Sequence, residues 1–250
     1  FTPRWWVYET LAVTFVFLGS ELYWLRLGNL TAHIATAGVI YFLIKTLLTD
    51  LDIKSTLEFD SKKSAAVAAI FFAIHPIAVF TQGYLIQRTI VCATLFTLLS
   101  WLAFWHGLKG ARSALWISCL MFVLALYAKE HTVMAPIVSL CLVVLYKRSG
   151  LKLPLSTIEI GLAVLLQVAV AVFLTLQIKG IIGTPYEIMT SELLEDEPGR
   201  PTEMLYHLSA LNEAGLFFKY LLFWILPNSG WMSIDIRESF PLNFASFNLW

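Results

Sequence analysis

Charge is scarce in this sequence. Only 14% of its 250 residues are Asp, Glu, Lys or Arg, where a water-soluble domain carries about 25%. The 17 basic and 17 acidic residues cancel, and no basic block occurs, which excludes a nucleic-acid partner held through its phosphates. Cysteine is equally sparse. Cys92, Cys119 and Cys141 each lie in an apolar run far from the next, so neither a disulfide framework nor a zinc-binding spacing can be drawn, and they read as small buried hydrophobes. Walker, GxGxxG, HExxH and GxSxG patterns are absent, so ATP-driven transport and zinc hydrolysis find no support, and no cofactor or metal is expected. There is no initiator Met, no basic leader and no internal repeat; the chain opens on Phe1, stops at Trp250 inside an apolar stretch, and reads as an internal fragment.

What the sequence has in abundance is apolar surface: 58% of residues are hydrophobic and the mean hydropathy is +0.75. A membrane span takes about 20 mostly apolar residues, and a backbone exposed to lipid must satisfy its own hydrogen bonds, which selects helices. Asn29–Leu48, Ser64–Phe80, Thr89–His106, Ser113–Ala128, Thr132–Tyr146 and Leu155–Ile178 qualify. The expected fold is an all-α polytopic transmembrane bundle of about six spans over 29–178. Lysine and arginine concentrate in cytoplasmic loops. Alternate loops hold Lys45, Lys54, Lys62 and Lys63, then Lys109 and Arg112, then Lys147, Arg148 and Lys152, nine of the seventeen cations. The opposite side then contains Asn29, the His75–Arg88 turn and the Lys129-Glu130-His131 turn.

Three further regions complete this organisation. Residues 1–28, with apolar Trp5–Ser20 interrupted by Glu9 and followed by Glu21, Trp24 and Arg26, suit an outer interfacial segment. The acidic, proline-broken stretch 179–212 suits an outer polar loop. Residues 213–250 are entered by the run Leu211–Leu226, which carries Lys219 near its centre, a costly place for a cation at mid-bilayer, and suits a shallow helix followed by an outer segment.

The outer turns are chemically richer than packing requires. No acidic residue lies between Asp60 and Glu130, so Arg88 has no local carboxylate, and it sits at a helix start where the macrodipole disfavours a cation. An anion from elsewhere resolves both costs; snorkelling to lipid headgroups is the plainer alternative. Lys129, Glu130 and His131 are consecutive ionisable groups, with Lys129 and Glu130 each on the favourable end of a helix dipole. His75-Pro76 breaks a helix, because proline lacks an amide hydrogen and restricts its predecessor. Gly83, Tyr84 and Gln87 then precede Arg88. Asn29 and His33, at i and i+4, share a helix face, where they suit either a polar ligand or interhelical hydrogen bonds.

This order of residues, Asn29 and His33, His75-Pro76, Tyr84, Gln87-Arg88, Lys129-Glu130 and Pro136, resembles the GT-C type membrane glycosyltransferases. In particular it is similar to the bacterial relatives of protein O-mannosyltransferases that carry tetratricopeptide repeats, and to the type IV pilin glycosyltransferases. The stretch Trp231–Glu238, with Asp235 and Arg237, looks like the pilin-modifying branch. The resemblance implies a sugar taken from a polyprenyl-phosphate donor and given to a protein or glycan acceptor on the periplasmic face of a bacterial inner membrane. Membrane lipids would be further partners. By that resemblance Arg88, Gln87 and Lys129 hold the donor phosphate, while His75, Tyr84, Glu130, Asn29, His33, Asp235 and Arg237 complete the outer site. The family's acidic catalytic residue would lie upstream of Phe1, with Glu130 supporting. The rival expectation is a polytopic transporter or lipid flippase that recognises an anionic substrate.

Overall fold

A computed structural model describes residues 3–51, 60–178 and 205–226. Helix accounts for 88% of them, and no strand occurs among the described residues. The helices are α1 (Trp5–Leu18), α2 (Leu22–Asp50), α3 (Ser61–Ile74), α4 (Pro76–Gly83), α5 (Arg88–Leu108), α6 (Arg112–Ala128), α7 (Ala135–Arg148), α8 (Thr157–Ile178) and α9 (Leu205–Ile225). Short 3-10 turns at Leu85–Gln87 and Glu130–Met134 precede α5 and α7. Among the described residues, four segments are long and apolar enough to cross a membrane: Leu22–Asp50, Leu85–Leu108, Glu130–Arg148 and Thr157–Ile178. Their flanks expose large apolar side chains such as Ile34, Phe42, Ile137, Val144, Leu162 and Leu165, the composition a bilayer-facing surface requires.

Several boundaries differ from those expected of the sequence. The run Ser64–Phe80 is not one span: proline cannot continue the backbone ladder, so the helix ends at Ile74 and a separate one starts at Pro76. At 14 residues α3 rises only about 21 Å, and 17-residue α6 about 26 Å, both short of a ~30 Å hydrocarbon core. Helix α2 starts at Leu22, inside the segment assigned to the interface, and α9 starts at Leu205, inside the stretch read as a polar loop. Lys219 lies within α9, half-buried. The region 227–250, including Asp235 and Arg237, lies outside the described residues, as does 179–204.

The chain forms two units, one of residues 1–74 with 81–186, the other of 75–80 with 187–250. In the first, α2 and α5 run parallel, because α3 returns the chain. Thr49 Oγ1 donates to Ser61 Oγ at the foot of the α2–α3 pair, and His33 meets the Ala73 carbonyl near its top. Helices α5 and α6 form a close antiparallel hairpin. Gly107 faces the Leu115 backbone so tightly that a Cβ would lie 2.9 Å from its Cα, and the turn closes through Gly110 at φ 108°, a left-handed conformation that glycine adopts without penalty. Phe104, Trp105, Leu108, Leu115, Cys119, Leu142, Tyr146, Ile160 and Ala163 form the main core.

A neutral polar network crosses the middle of this unit. Ser139 Oγ donates to Gln167 Oε1 at 3.0 Å, Gln167 Nε2 reaches Ser118 Oγ at 3.4 Å, and Ser100 Oγ donates to the Ser118 carbonyl at 2.8 Å. Four helices are thereby joined by side chains that lipid cannot satisfy. In the second unit, His75 is buried and stacks on Trp224, with ring centroids 4.3 Å apart.

The hairpin geometry generates a prediction. Gly107→Ala should lower stability by about 1–3 kcal/mol, because the added methyl meets backbone that cannot yield. Gly161→Ala, at a helical position with nothing within 4 Å of the new Cβ, should be neutral or mildly stabilising. Thermal unfolding of both variants in detergent checks the contrast, and equal midpoints would contradict the packing described.

Candidate functional site

One end of the first unit gathers the polar residues of α1, α2, α5 and the turn after α6. Helix α1 lies across that end. It packs on α2, on the last two turns of α6 and on the first turns of α5: the Trp6 indole donates to the Leu124 carbonyl, Trp6 packs edge-on against Phe96, and Val7 is buried with Cys92, Ala93 and Ala128. The start of α1 is fixed by Arg4, a non-glycine residue at φ 69°. Its backbone N–H donates at 2.7 Å to the carbonyl of Tyr127, one of the last four in α6, which have no partner inside their own helix. Arg4 thus caps α6 with its main chain.

Its side chain does more. The Arg4 guanidinium pairs with both oxygens of Glu130, and Lys129 Nζ approaches Glu130 Oε1 at 3.1 Å. Lys129 is the extended residue that ends α6, and Glu130 opens the following 3-10 turn, so the chain reversal itself brings them together. Glu130 is a carboxylate bridging two cations, all three partly accessible. His131 follows, exposed. Arg4 went unnoticed in the sequence; the single available signal was a lone cation just ahead of an apolar helix.

Arg88 is the first residue of α5, yet its side chain is only 4% exposed. Nε donates to Asn29 Oδ1 at 2.8 Å, Nη2 to the Leu25 carbonyl at 2.7 Å, and Nη1 to the Thr10 carbonyl at 3.1 Å, with the hydroxyls of Thr10 and Thr14 at 3.4 and 3.3 Å. The cation is therefore solvated by neutral oxygens of α1 and α2, and among the described residues no carboxylate pairs with it. Burying a charge costs several kcal/mol unless hydrogen bonds replace its water, and bonds to a charged group return roughly 1.5 to 3 kcal/mol each. Gly28 makes the approach possible, since a Cβ there would fall 2.5 Å from Nη2. Neither Thr10, Thr14 nor Gly28 carried a recognisable pattern.

The other residues singled out divide clearly. Asn29, fully buried, also donates from Nδ2 to the Tyr84 carbonyl at 3.2 Å, which ties α2 to the turn ahead of α5. The Tyr84 ring is exposed, and Gln87 is half-buried in the 3-10 turn beside Arg88. His33 is buried one turn below Asn29, where Nε2 lies 3.0 Å from the Ala73 carbonyl and the ring packs on Phe72. It serves the α2–α3 contact. In the second unit, His75 Nε2 lies 3.2 Å from the Trp224 carbonyl while Nδ1 accepts from the Ile77 amide at 3.3 Å. Asp235 and Arg237 fall outside the described residues.

The Gly28–Arg88 contact is testable as a double-mutant cycle. Gly28→Ala alone should cost about 1–3 kcal/mol through the clash, whereas in an Arg88→Ala background it should be neutral or stabilising, because alanine is the better helix former by about 1 kcal/mol. Unfolding in detergent measures both, and additive effects would contradict the contact. No known protein family, curated protein or solved structure matches the chain.

Proposed function

We propose that this chain works in a membrane glycosyltransferase of the GT-C type, moving a sugar from a polyprenyl-phosphate donor to a protein, such as a pilin, or to a glycan. The observation that supports it is the charge arrangement at one end of an apolar bundle. Arg88 has no carboxylate among the described residues, and Lys129 shares its single one, Glu130, with Arg4. The two cationic positions are close: one turn inside Arg88, Cys92 and Ala93 pack with Ala128, the neighbour of Lys129. A phosphate on a lipid tail needs such a place, with positive charge beside exposed apolar helix faces.

In that reaction the bond between the anomeric carbon and the phosphate oxygen breaks, and its electron pair leaves with the polyprenyl phosphate. A new bond forms from the acceptor oxygen or nitrogen to the same carbon, and a base takes the acceptor's proton. Cations that stabilise the leaving phosphate accelerate this step. We therefore assign the donor-binding role to Lys129 and Arg4 rather than to Arg88, because most N–H groups of Arg88 are already directed into α1 and α2. Arg88 then contributes its field from beneath, and Gln87, half-buried beside it, supplies an amide. Glu130 organises the two cations; its oxygens are committed to them, which argues against a role as the base. The transporter alternative is less well supported. In the four spans every Asp, Glu, Lys and Arg lies within two turns of an end, whereas coupling groups in transporters gather near the midplane.

Binding of a fluorescent polyprenyl-phosphate sugar to the detergent-solubilised protein tests the reading. Lys129→Ala should weaken it ten- to a hundred-fold, the equivalent of about 1.5–3 kcal/mol. Glu130→Gln should weaken it as well, since the two cations lose the group that holds them together. Binding no tighter than that of the uncharged polyprenol would overturn the proposal. Unchanged affinity in Glu130→Gln with a transfer rate reduced by about two to four decades would instead make Glu130 the base.

A further inference from the structure

The opposite end of the first unit is rich in lysine and arginine, and among the described residues only Lys109 and Arg112 there pair with a carboxylate. Two acidic residues there are already occupied. Asp50 accepts from Lys109 Nζ at 2.8 Å and from the buried Trp105 indole at 2.8 Å, and Glu159 pairs with Arg112 at 2.8 Å. Asp60 caps α3 by accepting the Lys62 amide at 2.9 Å, a bond that holds its pKa below the usual carboxylate range. Lys147, Arg148 and Lys152, all exposed, have no carboxylate among the described residues.

Those three cations stand on an ordered strap. After α7, Ser149 Oγ donates to the Leu145 carbonyl, the Gly150 amide to the Lys147 carbonyl at φ 71°, and Tyr146 Oη to the Lys152 carbonyl. Leu151, Leu153 and Leu155 alternate inward onto the core, which turns Lys152 outward. Pro154 packs on Gly110, where a Cβ would meet it at 3.0 Å, so the strap adjoins the turn holding Lys109 and Arg112. Below it, Leu140, Val144 and Arg148 follow one another at i, i+4 and i+8 along α7, with Ile137 and Leu145 beside them, all exposed. An apolar stripe therefore ends at Arg148, with Lys147 next to it in the chain and Lys152 on the strap that follows.

We propose that this strap is a binding site for an anionic phospholipid, whose phosphate sits between Arg148, Lys147 and Lys152 while an acyl chain lies along Leu140 and Val144. A guanidinium matches phosphate oxygens bidentately, and each cation near an anionic headgroup strengthens attraction about five-fold at low ionic strength. A zwitterionic headgroup offers no net charge to hold. A free phosphate would lack the stripe, and a soluble acidic protein would leave it uncovered.

Selectivity for spin-labelled phosphatidylglycerol over phosphatidylcholine, measured on the full chain in vesicles of both lipids, tests the site. Wild type should prefer phosphatidylglycerol several-fold, with the preference falling as salt rises from about 20 to 300 mM. The triple variant Lys147→Gln, Arg148→Gln, Lys152→Gln should lose it, while the charge-keeping variant Lys147→Arg, Arg148→Lys, Lys152→Arg should retain most of it. Unaltered selectivity in the glutamine variant would overturn the proposal. Displacement of the labelled lipid by millimolar inorganic phosphate would overturn it too, by assigning the cations to a free anion.

Discussion

The buried charge of Arg88 constrains everything at its end of the bundle. An arginine at the start of an apolar helix, with no carboxylate nearby, has two ways to avoid an unsolvated cation: to reach water, or to find oxygens inside the protein. Here it does the second. Reaching Leu25 requires that Gly28 lack a side chain; reaching Thr10 and Thr14 requires α1 to lie across the helix ends. Once α1 is there, Val7 is buried against α5 and α6, Arg4 reaches the Tyr127 carbonyl, and its guanidinium arrives at Glu130. The accessible cations are consequently positioned by an inaccessible one.

The first unit handles polarity by depth. Ion pairs stand at the ends of the helices, Asp50 with Lys109 and Glu159 with Arg112 at one, Arg4 and Lys129 with Glu130 at the other. The middle uses Ser100, Ser118, Ser139 and Gln167. Neutral groups can satisfy one another in hydrocarbon at little cost, whereas a charge at that depth is expensive. The same logic places Glu159, inside the apolar run Leu155–Ile178, in the first turn of α8 beside Arg112.

Much of this was legible beforehand. The run of apolar residues from Thr89 to His106 became α5 within a residue or two at either end, and Ser113–Ala128 became α6, because chain segments that apolar have no alternative in lipid. Where proline intervened, at Pro76, the pattern of hydropathy ran on while the backbone could not, and the span divided. Arg88 and the Lys129-Glu130 pair stood out because charge is scarce. Their partners did not: Arg4 lies 126 residues from Glu130, and Thr10 lies 78 residues from Arg88. A carbonyl acceptor such as Leu25 has no sequence signature, because every residue carries one. Asn29 and His33 illustrate the same limit: their shared face and its use in interhelical bonds could be read, while the partners, Arg88 and the Ala73 carbonyl, could not.

If Arg88 is what holds α1 in place, its removal should free that helix without disturbing the rest. Hydrogen–deuterium exchange on Arg88→Ala measures this directly. Amides of 5–18 should exchange at least about ten-fold faster than in wild type, since one or more charge-assisted hydrogen bonds are lost, while those of 112–128 and 157–178 keep their protection. Unchanged protection across 5–18 would contradict the account, and leave the guanidinium as a passenger in a helix packed by other means.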